Sequence, residues 1–305
     1  MCGGVEFFLF TSEIVALKLL TFLSFFLIPV VVQSQEKDLS SFPKKGTYLY
    51  FRQPAYEDNS FLLDEAFTQP KGVWQNILNV YARKNDYGTS FSQQIPITDR
   101  HQVGYTLNYS VVGSGGNSGF GDVYLHYNYA WKGKADKILL MPEFTLIVPT
   151  GRNHGYGGWG GQFTLAATKR LSQKVMTHYN IGYSYVSRAD FITSGSSADR
   201  TFFEEDLHLQ NAAASVVWYV TRRFNVMFES TGGAGKKLVD THTARAFNLT
   251  LNPGFRVLFE TGTSQIVPGL SVPLNFENSN FSGAGVFIYL SYEPDYLGFF
   301  KAKSR

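Results

Sequence analysis

A single cysteine, Cys2, is all the thiol this chain holds. It lies upstream of the apolar stretch LKLLTFLSFFLIPVVVQS (17–34), so the exported part would carry neither a disulfide nor a thiolate. Charge is scarce too, at 17 % of residues with a net +3, and Lys and Arg never gather into a dense block. That excludes the electrostatic footprint of a nucleic-acid binder. No HxH or HExxH spacing occurs, which leaves a metal site without its usual ligand pattern, and no cofactor motif stands out. GYGGWGG (155–161) is Gly-rich like a phosphate loop, but no Lys-Ser/Thr follows it. Beyond residue 34 there is no apolar run long enough for a membrane helix.

What is abundant is glycine and aromatic: 29 Gly, 27 Phe and 18 Tyr. Low charge with that composition argues against disorder and against a helical bundle. The run 17–34, preceded by Lys18, broken by Pro29 and ending on the small Val32 and Ser34, reads as a secretory signal over 1–34. An uncleaved helical anchor is the alternative. Glu6 and Glu13 sit badly in a signal's leading region, which points to a misplaced start. Residues 35–71 are polar and irregular, and read as a periplasmic N-terminal segment with one short helix around Phe61 to Phe67.

From Gly72 to about residue 293 the pattern changes to alternation with a period of two, the signature of extended strands. In GFGDVYLHYNYAW (119–131), Val123, Leu125, Tyr127, Tyr129 and Trp131 share one face. Tyr124, His126 and Asn128 take the other. VGYTLNYSV (103–111), LLMPEFTLIV (139–148), VMTHYNIGYSY (175–185) and GAGVFIYLSY (283–292) repeat the scheme. Runs of roughly ten residues match a tilted strand crossing a bilayer. Trp74, Trp131, Trp159 and Trp218 near their ends resemble interfacial girdles. Pro142, Pro253 and Pro268 within strands suggest bulges. Short turns at 171–174, 221–223 and 261–263 alternate with longer links at 112–119, 149–158, 188–205, 231–242 and 275–282. Eleven segments are clear, and TSFSQQIPIT (89–98) supplies a twelfth, so that both ends fall on the periplasmic side. Ten or fourteen strands remain alternatives. In hydrocarbon every backbone N–H and C=O must be paired, so such a sheet must close. The expected fold is all-β, a transmembrane antiparallel up-and-down barrel over 72–293 with a tail at 294–305. A soluble β-sandwich is the competing architecture.

GFGDV (119–123), VPTGR (148–152) and NIGYSY (180–185) resemble the MetA-pathway of phenol degradation family. The resemblance implies an outer-membrane barrel that transports small, often aromatic, compounds. It would place Asp122 at the outer end of its strand, facing inward, and Pro149, Thr150 and Gly151 at the start of an external loop. Turn chemistry alone is the simpler account of both motifs. Many barrels end on an aromatic read by the outer-membrane insertion machinery; here the chain ends FFKAKSR, and Tyr292 would close the last strand instead.

The alternation nominates lumen-lining residues: Asp122, His126, Asn128, Glu143, Gln162, His178, Asn180, Asn225, Glu229, Asn248 and Arg256. His208 falls on a predicted inward face as well. Catalysis is not enforced by any spacing. His178 and Ser184, for instance, lie about 20 Å apart along one face at 3.3 Å per residue. The expected partners are a lipid bilayer, the insertion machinery and a small-molecule solute, with no nucleic acid. The bore could admit that solute or be plugged by residues 35–71. A non-transporting surface barrel whose loops bind a partner is the second reading, and a lipid hydrolase the third.

Overall fold

The computed structural model describes residues 60–84, 86–112, 117–131, 138–151, 154–192, 202–239, 242–261 and 264–295. They all belong to one compact unit, Tyr50–Arg305. The expected signal (1–34) and most of the tail lie outside the described residues. Sixteen strand segments are present: β1 (Gln75–Arg83), β2 (Asp86–Pro96), β3 (His101–Val112), β4 (Asn117–Phe120), β5 (Val123–Tyr129), β6 (Leu139–Val148), β7 (Gly160–Arg170), β8 (Val175–Ile192), β9 (Phe202–Tyr219), β10 (Phe224–Val239), β11 (His242–Val257), β12 (Phe259–Thr261), β13 (Ser264–Ser271), β14 (Leu274–Glu277), β15 (Asn280–Ala284) and β16 (Val286–Pro294). Four pairs of neighbours, β4–β5, β11–β12, β13–β14 and β15–β16, are single staves with a local break. Twelve antiparallel staves result, and the sheet closes because β16 pairs with β1, from Asn76 opposite Tyr292 to Ala82 opposite Val286. The expected barrel and strand number are borne out.

Closure leaves two surfaces, and alternation decides which residue meets which. Tyr127, Phe144, Phe163, Ile181, Val216, Phe228 and Ile288 all point outward and are exposed, Ile181 by 62 %. No packing partner on a water-facing wall would justify so much apolar area; hydrocarbon does. Trp131 and Trp218 lie exposed at the end where β1 begins and β16 finishes, and Trp159 at the other. The barrel therefore has the lipid-facing band and aromatic rims of an outer-membrane protein.

Strand lengths depart from the sequence reading. β8 and β9 have 18 residues each, β10 and β11 16 each. Most of 231–242, expected as a loop, is strand, paired from Thr231 opposite Thr250 to Val239 opposite His242. The 275–282 link is also largely hairpin, turning at Asn278 and Ser279, both with positive φ. Gly and Lys in these stretches suggested loops, but strands that rise beyond the bilayer no longer need a lipid-facing alternation.

The prolines explain themselves by what they do not pair with. Pairing of β5 with β6 ends at Asn128–Glu143, one residue short of Pro142. Pro268 faces the gap between the stretches of β13 paired with β12 and with β11. Pro253 lies opposite the break between β13 and β14. A missing N–H is harmless where no acceptor waits. The register shifts fall elsewhere, at Val186/Ala189 and Asn275/Phe276.

Ile181→Arg should lower barrel stability by about 2–4 kcal/mol, because the charge would sit at the lipid-facing midplane. Ile181→Leu should change it by less than about 1.5 kcal/mol. Urea unfolding in lipid vesicles reads the difference; equal effects from the two variants would contradict the lipid-facing assignment.

Candidate functional site

The lumen is where the fold concentrates polar groups, and its inner half is occupied by the chain itself. Residues 60–69 form no helix; they run as irregular bends inside the barrel, which corrects the helix expected around Phe61 to Phe67. Such a segment has no ladder to satisfy its backbone, so wall side chains must do it. The Phe61 N–H donates to Glu229 Oε1 at 2.8 Å, the Ala66 N–H to Thr168 Oγ1 at 2.8 Å, and the Gln69 N–H to Gln102 Oε1 at 2.9 Å. The Asn180 amide, oriented to satisfy both partners, donates to the Asp64 carbonyl at 2.9 Å and accepts the Asp64 N–H at 3.0 Å. Thus four backbone N–H groups of the segment are held from four different staves.

Its side chains are gripped as firmly. The Phe61 ring meets Phe287 and Tyr289 edge-on, with centroids at 5.9 and 5.6 Å, and the Arg256 guanidinium lies 5.9 Å from its centre. Room for it exists because Gly254 and Gly269 face inward: a Cβ on either would come within 2.5 and 2.6 Å of the ring. Glu229 Oε2 in turn accepts from Asn252 Nδ2 at 2.9 Å. Glu65 faces His178 Nε2 at 3.5 Å and accepts from Ser60 Oγ at 2.9 Å, while His178 Nδ1 and Thr168 Oγ1 are 2.8 Å apart. Ala66 closes against Leu139, Met141 and Ala166. The segment is a plug across the end where β1 begins and β16 finishes.

Above it lies a polar belt. His126 Nε2 is 2.9 Å from Thr106 Oγ1, and its Nδ1 is 3.0 Å from Thr145 Oγ1 and 3.4 Å from Glu143 Oε1. Gln162 hydrogen-bonds Thr164 and Ser184. Farther out, Ile147, Val186, Ala189 and Leu207 form an apolar cluster with Tyr124, Tyr156 and Leu209 packed against it. Apolar clusters around Phe61 and around Ile147 thus stand among the polar groups of the lumen. In the outer half these surfaces enclose a cavity of about 490 Å³.

Of the sequence-nominated residues, Glu229, His178, Asn180 and Arg256 meet the plug; His126 and Glu143 belong to the belt; Gln162 and Asn248 line the cavity. Asn128 and Asn225 are buried on inward-facing positions of β5 and β10. Asp122 is buried at the β4–β5 break and accepts two loop N–H groups, from Gly151 at 2.9 Å and Tyr156 at 2.6 Å. Burial and the Asp122 carboxylate hold the Tyr156 phenol above its ordinary pKa, so it stays neutral. His208 is a correction: it shares the parity of Trp218 and points outward, 2.6 Å from Tyr183 Oη. The sequence reading named residues 35–71 as a plug for the bore and nominated four of the wall residues that meet it, but not which atoms they hold.

Residues 24–290 match the model of the MetA-pathway of phenol degradation family. No curated protein matches the sequence. Among solved structures, the chain resembles an outer membrane channel from Pseudomonas putida F1 with a TM-score of 0.55 and 17 % identity, over 75 % of this chain and 97 % of that one. It also resembles the translocator domain of the autotransporter NalP from Neisseria meningitidis, with a TM-score of 0.46 and 9 % identity, over 74 % and 89 % of the two chains. At 17 % identity the likeness to the Pseudomonas channel shows the fold alone, that of an outer-membrane barrel.

Glu229→Ala should leave the buried Phe61 N–H without its acceptor, a loss of about 1–3 kcal/mol. Hydrogen exchange at residue 61 should then quicken by roughly five- to a hundredfold. An unchanged exchange rate there would show that the carboxylate does not hold the plug.

Proposed function

The chain belongs to the MetA-pathway of phenol degradation family, and from that premise we propose that it is an outer-membrane channel for small solutes, seen with its inner mouth shut. The observation that carries this reading is how the shutter is attached. Residues 60–69 are fastened to the wall by separate side-chain contacts from β3, β7, β8 and β10, not by a continuous ladder. Each contact is worth on the order of 1 kcal/mol or a little more, so the segment can leave without disturbing the sheet. Removing it opens a bore of twelve staves, wider than barrels filled by their own side chains and narrower than the large porins.

The cavity above the plug favours small molecules with apolar parts. Its wall combines Tyr124, Ile147, Tyr156 and Leu209 with Gln162, Ser184, Asn211 and Asn248, and with the charged Lys236 and Glu277. The barrel needs no chemistry for this task, and we read it as a non-enzyme. Its inward histidines meet wall groups: His126 meets Thr106, Thr145 and Glu143, and His178 meets Thr168. Tyr292, outward-facing near the end of β16, is the aromatic we assign to recognition by the insertion machinery. The closed inner mouth also suits a second reading, a non-conducting surface barrel that binds a partner through its external loops.

Flux separates the two. Liposomes carrying the chain without residues 60–69 should swell in small solutes at least tenfold faster than those carrying the full chain. Trimming residues 193–201, the part of the expected 188–205 loop that lies between β8 and β9, should leave that flux in place. Plug-free liposomes no more permeable than bare ones would overturn the channel reading.

A further inference from the structure

The GFGDV and PTG motifs and the glycines of 155–161 remain unused by the plug, yet they interlock closely at the outer rim. Thr150 Oγ1 accepts the Val123 N–H at 3.0 Å. His154 Nδ1 is 3.0 Å from Ser110 Oγ, and its ring covers Gly119, where a Cβ would come within 2.5 Å of it. A Cβ on Gly155 would lie 2.1 Å from Asp122 Oδ1, and one on Gly158 would run into the Ser187 carbonyl. Each glycine is there because another group comes too close for a side chain. The centre of this interlock is the buried Asp122 carboxylate, which uses one oxygen for each of two backbone N–H groups. The second of those belongs to Tyr156, whose side chain packs on the apolar cluster and lines the cavity.

We propose that the outer-half cavity is the site at which the channel recognises its solute, and that Asp122 is the positioning residue that sets Tyr156 into its wall. This rests on the channel reading above. Tyr124 and Tyr156 offer ring surfaces, Ile147 and Leu209 extend the apolar side, and Gln162, Ser184, Asn211 and Asn248 supply hydrogen-bonding groups. Between Asn211 of β9 and Asn248 of β11, β10 contributes Gly233 and Gly235, and β11 adds Ala246, a low stretch of wall that leaves the space open. At Gly233 a Cβ would meet nothing closer than a carbonyl oxygen at 3.5 Å, so that space accepts a side chain. A small planar molecule with an apolar face and a hydrogen-bonding edge fits this division. A polyol, polar on every side, would leave the apolar half wet.

The test is calorimetric titration of the purified full chain in detergent with 4-hydroxybenzamide, and with sorbitol as the polyol of similar size. 4-Hydroxybenzamide should bind at least tenfold more tightly than sorbitol. Gly233→Leu, which fills the cavity, should weaken it tenfold or more, and Gly233→Ala by less than threefold. Tyr156→Ala should weaken it roughly three- to tenfold and Tyr156→Phe hardly at all, since the ring supplies the contact. Asp122→Asn keeps one acceptor and loses the other, so it should weaken binding as Tyr156→Ala does. In the Tyr156→Ala background Asp122→Asn should add nothing, because both act through one side chain. Unaltered binding in Gly233→Leu, equal binding of sorbitol, or additive losses at 122 and 156 would overturn the proposal. If plug-free liposomes conduct while these variants bind normally, the site falls and the channel stands. If the variants behave as expected while plug-free liposomes stay sealed, the channel falls and the barrel is left with a binding pocket.

Discussion

A peptide group in hydrocarbon has nowhere to place its N–H and C=O except on another peptide group, and nearly everything in this molecule follows from that. It forces the sheet to close through β1 and β16. It also makes the prolines tolerable only where a pairing gap already exists. The same demand reappears inside the lumen in a different form. Residues 60–69 have no neighbouring strand, and their N–H groups are met by a carboxylate, an amide, a hydroxyl and a second amide projecting from the wall. Inward polar residues that look like pore lining therefore serve first as substitutes for a missing strand.

The outer half is organised by a second shortage, that of space. Glycines at 119, 155 and 158 let the 154–159 turn settle against β4, the Asp122 carboxylate and the start of β8's outer end. The aromatic carried by that turn narrows the bore, while the inward glycines of β10 keep the opposite wall low. The two halves of the lumen are thus closed and shaped by different means, one by an inserted segment and one by a folded-back connection.

How far this could be read beforehand depends on whether a residue obeys a local period. Tyr127, Phe144 and Ile181 do, because each sits on a strand with lipid on one side, and their outward placement was legible along with the number of staves. SFLLDEAFTQ (60–69) does not. Its apolar residues look helical in isolation, whereas its conformation is set by Glu229, Thr168 and Gln102, partners 168, 102 and 33 residues away. GGAGKKLVD (232–240) misled through composition, since strands beyond the bilayer shed the outward hydrophobic row while keeping their ladder. Asp122 was found by its motif, but which N–H groups it would accept was invisible without the loop's path. His208 was a slip of parity that Trp218, ten residues on in the same strand, would have corrected.

The pocket that receives Phe61 is assembled from Gly254 and Arg256 of β11, Gly269 of β13, and Phe287 and Tyr289 of β16. None of those five belongs to the β1–β2 hairpin, and two lie on β16, the strand that makes the final seam with β1. The earliest part of the described chain therefore has no seat until the latest part has been made. The cylinder can seal by its own β1–β16 ladder, whereas the N-terminal segment must wait for that seam before Phe61 finds its place.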